Sequence, residues 1–330
     1  MRIIEVVCDP GHLDTVKGLS DRDDVVDFWS LTPAGESRVV LRLLVAPAGV
    51  QPILDALQKQ LGDSRDARIV VLAVEATVPR FEAPEAAEGA RRKQQSSREE
   101  LYQDVERGAR LDRTYLTLVI LSTVVAAIGL VEDSVAIVIG AMVIAPLLGP
   151  NLALALGTAL GDGPLIRRAA QASAAGILLA LAVSIAIGFL WPSRLDSAEL
   201  MSRTDVGWDS IALALAAGAA GVLSLTTGLP SVLVGVMVAV ALLPPAATLG
   251  LMLGAGRSEE AVGAGLLLAV NVVCVNLAAK LVFLLQGVRP RTWIEQRKAK
   301  QSTLVYLTLW VLSLVLLAVV VYLRGSFVDA

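Results

Sequence analysis

The feature that most restricts this chain is Val135–Leu160, VAIVIGAMVIAPLLGPNLALALGTAL, which carries no charged residue. An apolar run of this length reads as membrane-embedded. As one straight helix its roughly 26 residues would reach about 39 Å, against about 30 Å of bilayer hydrocarbon. The stretch therefore tilts or breaks, and Pro146, Gly149 and Pro150 near its middle favour a break. Each proline lacks the N–H that bonds the carbonyl four residues back, so Pro146 frees Met142 and Pro150 frees Pro146. Unpaired carbonyls in hydrocarbon cost several kcal/mol each and persist only against protein, water or a ligand. Two readings stay open: a kink repaired by neighbouring helices, or a site.

A second copy of the stretch lies at Ser231–Gly256. Gly140 and Met142 align with Gly235 and Met237, and Leu147-Leu148-Gly149-Pro150 aligns with Leu242-Leu243-Pro244-Pro245, all at an offset of 95 residues. Pro245 frees the carbonyl of Ala241, the repeat-mate of Pro146. Carried outward, the offset pairs segments starting near Thr114 and Asp209, and near Leu165 and Glu260. Each unit is about three spans long. An odd number of spans puts the second unit into the membrane upside down, so the expected architecture is a three-plus-three inverted repeat. Broken helices in matching places point to a solute pathway near the midplane.

The whole chain supports a membrane assignment: 55% of its 330 residues are hydrophobic and its mean hydropathy is +0.68. The two cysteines, Cys8 and Cys274, suggest neither a metal site nor a disulfide framework, and His12 is the single histidine. Small residues abound, which suits close helix packing. The start, MRIIEVVCDPGH, has no basic-then-apolar leader, so no cleavable signal is expected.

Residues 1–79 read as a soluble domain. Strands are expected at 2–8, 25–32, 37–46 and 68–76, with helices at 10–19 and 50–61 and a turn at Pro33-Ala-Gly35. The resulting β-α-β-β-α-β order is that of the α+β ferredoxin-like split β-α-β. Residues 80–113 read as a linker and a juxtamembrane helix. Ser96…Glu99 and Ser97…Glu100 offer capping boxes, and the helix is expected to run on to the first span.

Seven spans are expected, at about 114–131, 135–160, 165–191, 209–226, 229–254, 261–287 and 303–323. Repeat 1 then covers 114–191, an external loop 192–208, repeat 2 209–287, a basic loop 288–302, and a last span with tail 303–330. With the N-terminus inside, Arg107, Arg110, Arg113, Arg167, Arg168, Arg289, Arg291, Arg297, Lys298 and Lys300 fall on the cytoplasmic side. Arg194, Arg203, Arg257 and Arg324 fall on the other. That bias predicts a multi-pass protein of the inner or plasma membrane with a cytoplasmic N-terminal domain and an external C-terminus. The last span has no repeat-mate and is assigned to packing or to a homo-oligomer.

The run SREELYQDVERGARLDRTYL, followed by LSTVVAAIGLVEDSVAIVIGAMVIAPLLGPNLALALGTALGD, resembles the prokaryotic membrane family known as domain of unknown function 389. The resemblance spans about 96–287, and the block from Gly140 to Pro150 is its most specific part. It implies a multi-span membrane core with a soluble extension, and no substrate.

The spans carry no acidic residue inside them; Glu132, Asp133, Asp162 and Asp209 stand at their ends. A proton relay or carboxylate cation site normally needs such an acid. Nucleophile–histidine pairs are missing as well, so neither an enzyme nor a cofactor is expected. What remains is carbonyls, amides, hydroxyls and one lysine. Asn151, in the first turn after the break, either caps it or helps a half-helix N-terminus receive an anionic or polar group. Asn271, Asn276 and Lys280 share the sixth span, and Asn276 and Lys280 lie on one helical face. Lys280 either snorkels to the interface or lines a path. Ser224, Thr226 and Thr227, ahead of Pro230, cap the fifth span or line the route, and Gly157/Gly161 and Gly250/Gly254 allow close helix contact.

The sequence thus predicts a transporter or channel-like protein for a small anion or polar solute. Its expected contacts are Met142, Pro146, Gly149, Pro150, Asn151, Ala241, Pro244, Pro245, Asn271, Asn276 and Lys280. The alternative is a membrane-anchored sensor or scaffold whose soluble domain binds a ligand or partner. The expected partners are the bilayer, a small solute or ion and further copies of the chain, with no nucleic acid and no metal.

Overall fold

The computed structural model describes residues 1–31, 38–47, 49–61, 64, 66–75, 77, 98–192, 195–227, 231–288, 308 and 310–321. The turn at Pro33-Ala-Gly35, the linker, the capping serines Ser96 and Ser97, and most of the basic loop lie outside them. The chain divides into two compact units, Met1–Arg98 and Glu99–Ala330.

In the first unit, β1 (Arg2–Cys8), α1 (Leu13–Lys17), β2 (Val25–Leu31), β3 (Val39–Val45), α2 (Val50–Leu61) and β4 (Arg68–Ala73) follow in the expected order. Alternation builds the sheet. Ile4, Val6 and Cys8 of β1 and Leu41, Leu43 and Val45 of β3 point to one face and are buried there. They pack with Ile53, Leu54, Leu57 and Leu61, the apolar stripe of α2. The sheet is antiparallel in the order β2-β3-β1-β4, with Val6 opposite both Leu41 and Ile69. On the opposite face Arg42 pairs with Glu5 at 2.7 Å.

The second unit is helical. It comprises α3 (Arg98–Gly108), α4 (Arg113–Val131), α5 (Val135–Ile144), α6 (Leu148–Leu160), α7 (Gly163–Leu190), α8 (Ala198–Met201), α9 (Trp208–Thr227), α10 (Ser231–Gly254) and α11 (Ser258–Leu285). A further helix, α12, covers Trp310–Val321. Four helices (α4, α7, α9 and α11) are long and apolar enough to cross a membrane. The bent pair α5–α6 makes a fifth. Such a set fits a multi-pass membrane protein. Over the residues described, the apolar stretches Ala241–Gly254 and Trp310–Val321 are shorter, so the expected spans at 229–254 and 303–323 are not added.

The juxtamembrane helix differs from expectation. It ends at Gly108, and α4 starts afresh at Arg113 behind Asp112, whose carboxylate accepts the Tyr115 N–H at 2.7 Å. An N-cap that strong opens a new helix rather than continuing an old one.

Helix bounds recur at the offset read from the sequence. Arg113 and Trp208 start α4 and α9, 95 residues apart; Gly163 and Ser258 start α7 and α11, and Leu190 and Leu285 end them, at the same spacing. Packing is reciprocal: α7 lies on α10, and α11 lies on α6. Where α7 meets α10, a Cβ on Gly188 would fall on the Leu251 backbone, and one on Gly254 on the Ile185 carbonyl. Only glycine allows that approach. Gly161 does different work from its predicted partner Gly157: at φ 72° it closes α6 in the left-handed region, while Gly157 abuts Ile166.

Candidate functional site

Ala145 donates its N–H to the Ala141 carbonyl at 3.1 Å, then turns to φ −67°, ψ 122°. That extended geometry is what a following proline imposes. Helix restarts at Leu148, so α5 and α6 meet at 54° across the Pro146 break. Asn151 is almost fully buried, with 1% of its surface exposed. Its Nδ2 donates to the Leu147 carbonyl at 2.8 Å, a bond back along its own helix rather than a cap, and not to the carbonyls of Met142 and Pro146 that the prolines free.

The repeat-mate behaves differently. α10 runs unbroken through Pro244 and Pro245, so no helix break stands there. The expected freed carbonyl exists all the same: Ala241 accepts from Asn271 Nδ2 of α11 at 2.8 Å. A side chain from the neighbouring helix supplies the donor that Pro245 lacks, and the helix continues. Both prolines are buried.

Between α6 and α11 the two loci are joined. Asn276 Nδ2 donates to Asn151 Oδ1 at 3.0 Å and to its own Val272 carbonyl at 2.9 Å. One turn further along α11, Lys280 is 0% exposed. The snorkelling reading is thereby corrected, because protein packing covers the whole side chain. The Oδ1 atoms of Asn271 and Asn276 are buried without a hydrogen-bond partner among the described residues. Unsatisfied buried acceptors are expensive, and they commonly mark a place where water or a ligand completes the set.

Other expected contacts have packing roles. Met142 is buried in the main core beside Ala141 and Leu147. Gly149 faces Gly108 of α3 so closely that a Cβ would fall on the Gly108 carbonyl. Thr226 returns its hydroxyl to its own Val222 and Leu223 carbonyls, so it does not cap the next helix. Pro230 lies outside the described residues.

Sequence reasoning missed α3 as part of this region. Leu101, Val105 and Ala109 are buried among Leu152, Leu156 and Phe283. Their four-residue spacing was the available signal. Tyr102 Oη donates to Asp162 Oδ2 at 2.6 Å, and Arg168 pairs with Glu106 at 2.8 Å. Burial first, then the bond to Asp162, pushes the Tyr102 hydroxyl up to about 12.

A family model described as Domain of unknown function (DUF389) matches residues 142–277. An uncharacterized protein of Methanocaldococcus jannaschii is 34% identical over 303 residues, covering 92% of this chain and 93% of its own length. This chain belongs to the DUF389 family. No solved structure matches it. In this DUF389 protein the family match runs from Met142 past Asn276, so it takes in the helix break and the Asn151–Asn276 bridge. Lys280 stands three residues beyond.

Proposed function

We propose that this DUF389 protein is a transporter or channel-like protein that passes a small anion or polar solute along the α6–α11 seam. One observation carries the reading: Asn151, Asn276 and Lys280 are all buried in two largely apolar helices, beside a broken span. Intramembrane polar groups are costly and mark function by default. The first turn of α6 presents its N–H groups and positive dipole end to that polar line. Lys280 supplies positive charge, which leans the choice towards an anion.

The recurrence of helix bounds at 95 residues supports a three-plus-three repeat. Its two units are inverted, the N-terminal domain is cytoplasmic, and α10 and α12 complete seven spans. The two repeats have diverged: one keeps a break, the other a proline pair sealed by Asn271.

A thermal-shift screen of inorganic anions, carboxylates and amino acids tests the reading. A ligand at 100 times its Kd stabilises its target by about 2.7 kcal/mol. Stabilisation of wild type that is lost in Asn151→Ala and Asn276→Leu is the expected outcome. Stabilisation retained in both variants overturns the site, and the same shift in residues 1–79 alone moves the ligand to the soluble domain.

A further inference from the structure

The helix α3 is bound to the membrane unit by little. Two of its apolar side chains, Leu101 and Val105, are buried on one stripe, and Ala109 just past its end is buried with them. Two polar pairs hold its flank, Tyr102–Asp162 and Glu106–Arg168, and Arg168 keeps 64% of its side chain exposed. At 11 residues it is too short to be a stable helix by itself. Its last turn nevertheless occupies a sensitive place. Gly108 lies backbone to backbone against Gly149, the second residue of α6, at the half-helix N-terminus. Beyond Gly108 the chain is non-helical until the Asp112 cap, which anchors α4. Weak attachment, a glycine-to-glycine fit and a non-helical joint are the parts of a detachable cover.

We propose that α3 is a strap: docked, it covers the first turn of α6 and closes the polar seam at that end; lifted about Ala109–Asp112, it opens the seam. The latches are Tyr102–Asp162 and Glu106–Arg168. That lifting admits a solute rests on the function proposed above; that α3 docks and lifts does not.

Two measurements on the full chain, with Cys8 and Cys274 replaced by alanine, separate these parts. The first follows labelling of Val105→Cys, a buried position of α3, by a water-soluble maleimide. Adding Tyr102→Phe and Arg168→Gln is expected to speed labelling at least tenfold without unfolding the protein. Equal rates with and without the latches overturn the strap. The second joins Glu106→Cys to Arg168→Cys with a reducible bis-maleimide and follows anion flux in liposomes. Flux should fall at least tenfold on bridging and return on reduction. Undiminished flux through fully bridged protein overturns the strap as a gate. If the unbridged parent passes no anion, the transport reading fails, and latch-dependent labelling by itself then upholds the strap.

Discussion

Asn271 gives the sharpest test of how this protein tolerates paired prolines. Its Nδ2 donates to the Ala241 carbonyl at 2.8 Å, in place of the N–H that Pro245 cannot offer. Asn271→Ala leaves that carbonyl unpaired, a loss of about 1–3 kcal/mol for a buried group. Two considerations trim the figure. Hydrogen bonds between membrane helices average about 0.6 kcal/mol and reach about 1.7. The substitution also removes Asn271 Oδ1, which is buried without a partner among the described residues. The expected cost is therefore about 1 kcal/mol, near the middle of those ranges. In a Pro245→Ala background the residue at 245 has its own N–H for Ala241, and the same Asn271→Ala change should cost almost nothing. A double-mutant cycle of unfolding free energies in mixed micelles reads the coupling directly. Independent sites add to within about 0.3–0.5 kcal/mol. Coupling inside that margin would refute the idea that Asn271 substitutes for the missing amide.

Other outcomes follow from the same contacts. Gly188→Ala should cost about 1–3 kcal/mol by driving a methyl into the Leu251 backbone. Gly265→Ala, whose methyl would meet only Leu249 at 3.7 Å, should be neutral or stabilising by up to about 1 kcal/mol; paired melting curves decide between them. The Tyr102 hydroxyl is held neutral in the folded protein, so its contribution is complete below pH of about 10. It is lost as pH rises towards about 12. The gap in unfolding midpoint between wild type and Tyr102→Phe should narrow across that window, and a constant gap would count against the Asp162 bond. Cysteines placed at the repeat-mates Gly163 and Ser258 should react with impermeant reagents from opposite sides of the membrane if the repeats are inverted, and from the same side if they are not.

The N-terminal fold was legible because alternation along β1 and β3 and the stripe on α2 are local patterns that match what is buried. The break at Pro146 was legible for a similar reason: the missing N–H and the clash with Ala145 are covalent facts of the residue. The second locus was half legible. Pro245 identifies the carbonyl that loses its donor, but not whether a neighbour supplies another, and Asn271 sits 30 residues away on a different helix. Lys280 illustrates the same boundary. Sequence left snorkelling and lining a path both open, while the packing of the helices around it decides that it is enclosed. The docking of α3 was hidden behind its charges, since only two of its own positions, Leu101 and Val105, carry the stripe and Gly108 gives no sign in sequence of facing Gly149.

The most direct measurement is solute uptake by liposomes holding the purified full-length protein, loaded against a panel of small anions and neutral polar solutes, with Pro150→Leu and Asn151→Ala reconstituted in parallel. Saturable uptake by wild type that both variants lose, while still inserting and unfolding cooperatively, is the result the account predicts. Uptake that survives in both, or none with any solute of the panel, would contradict it.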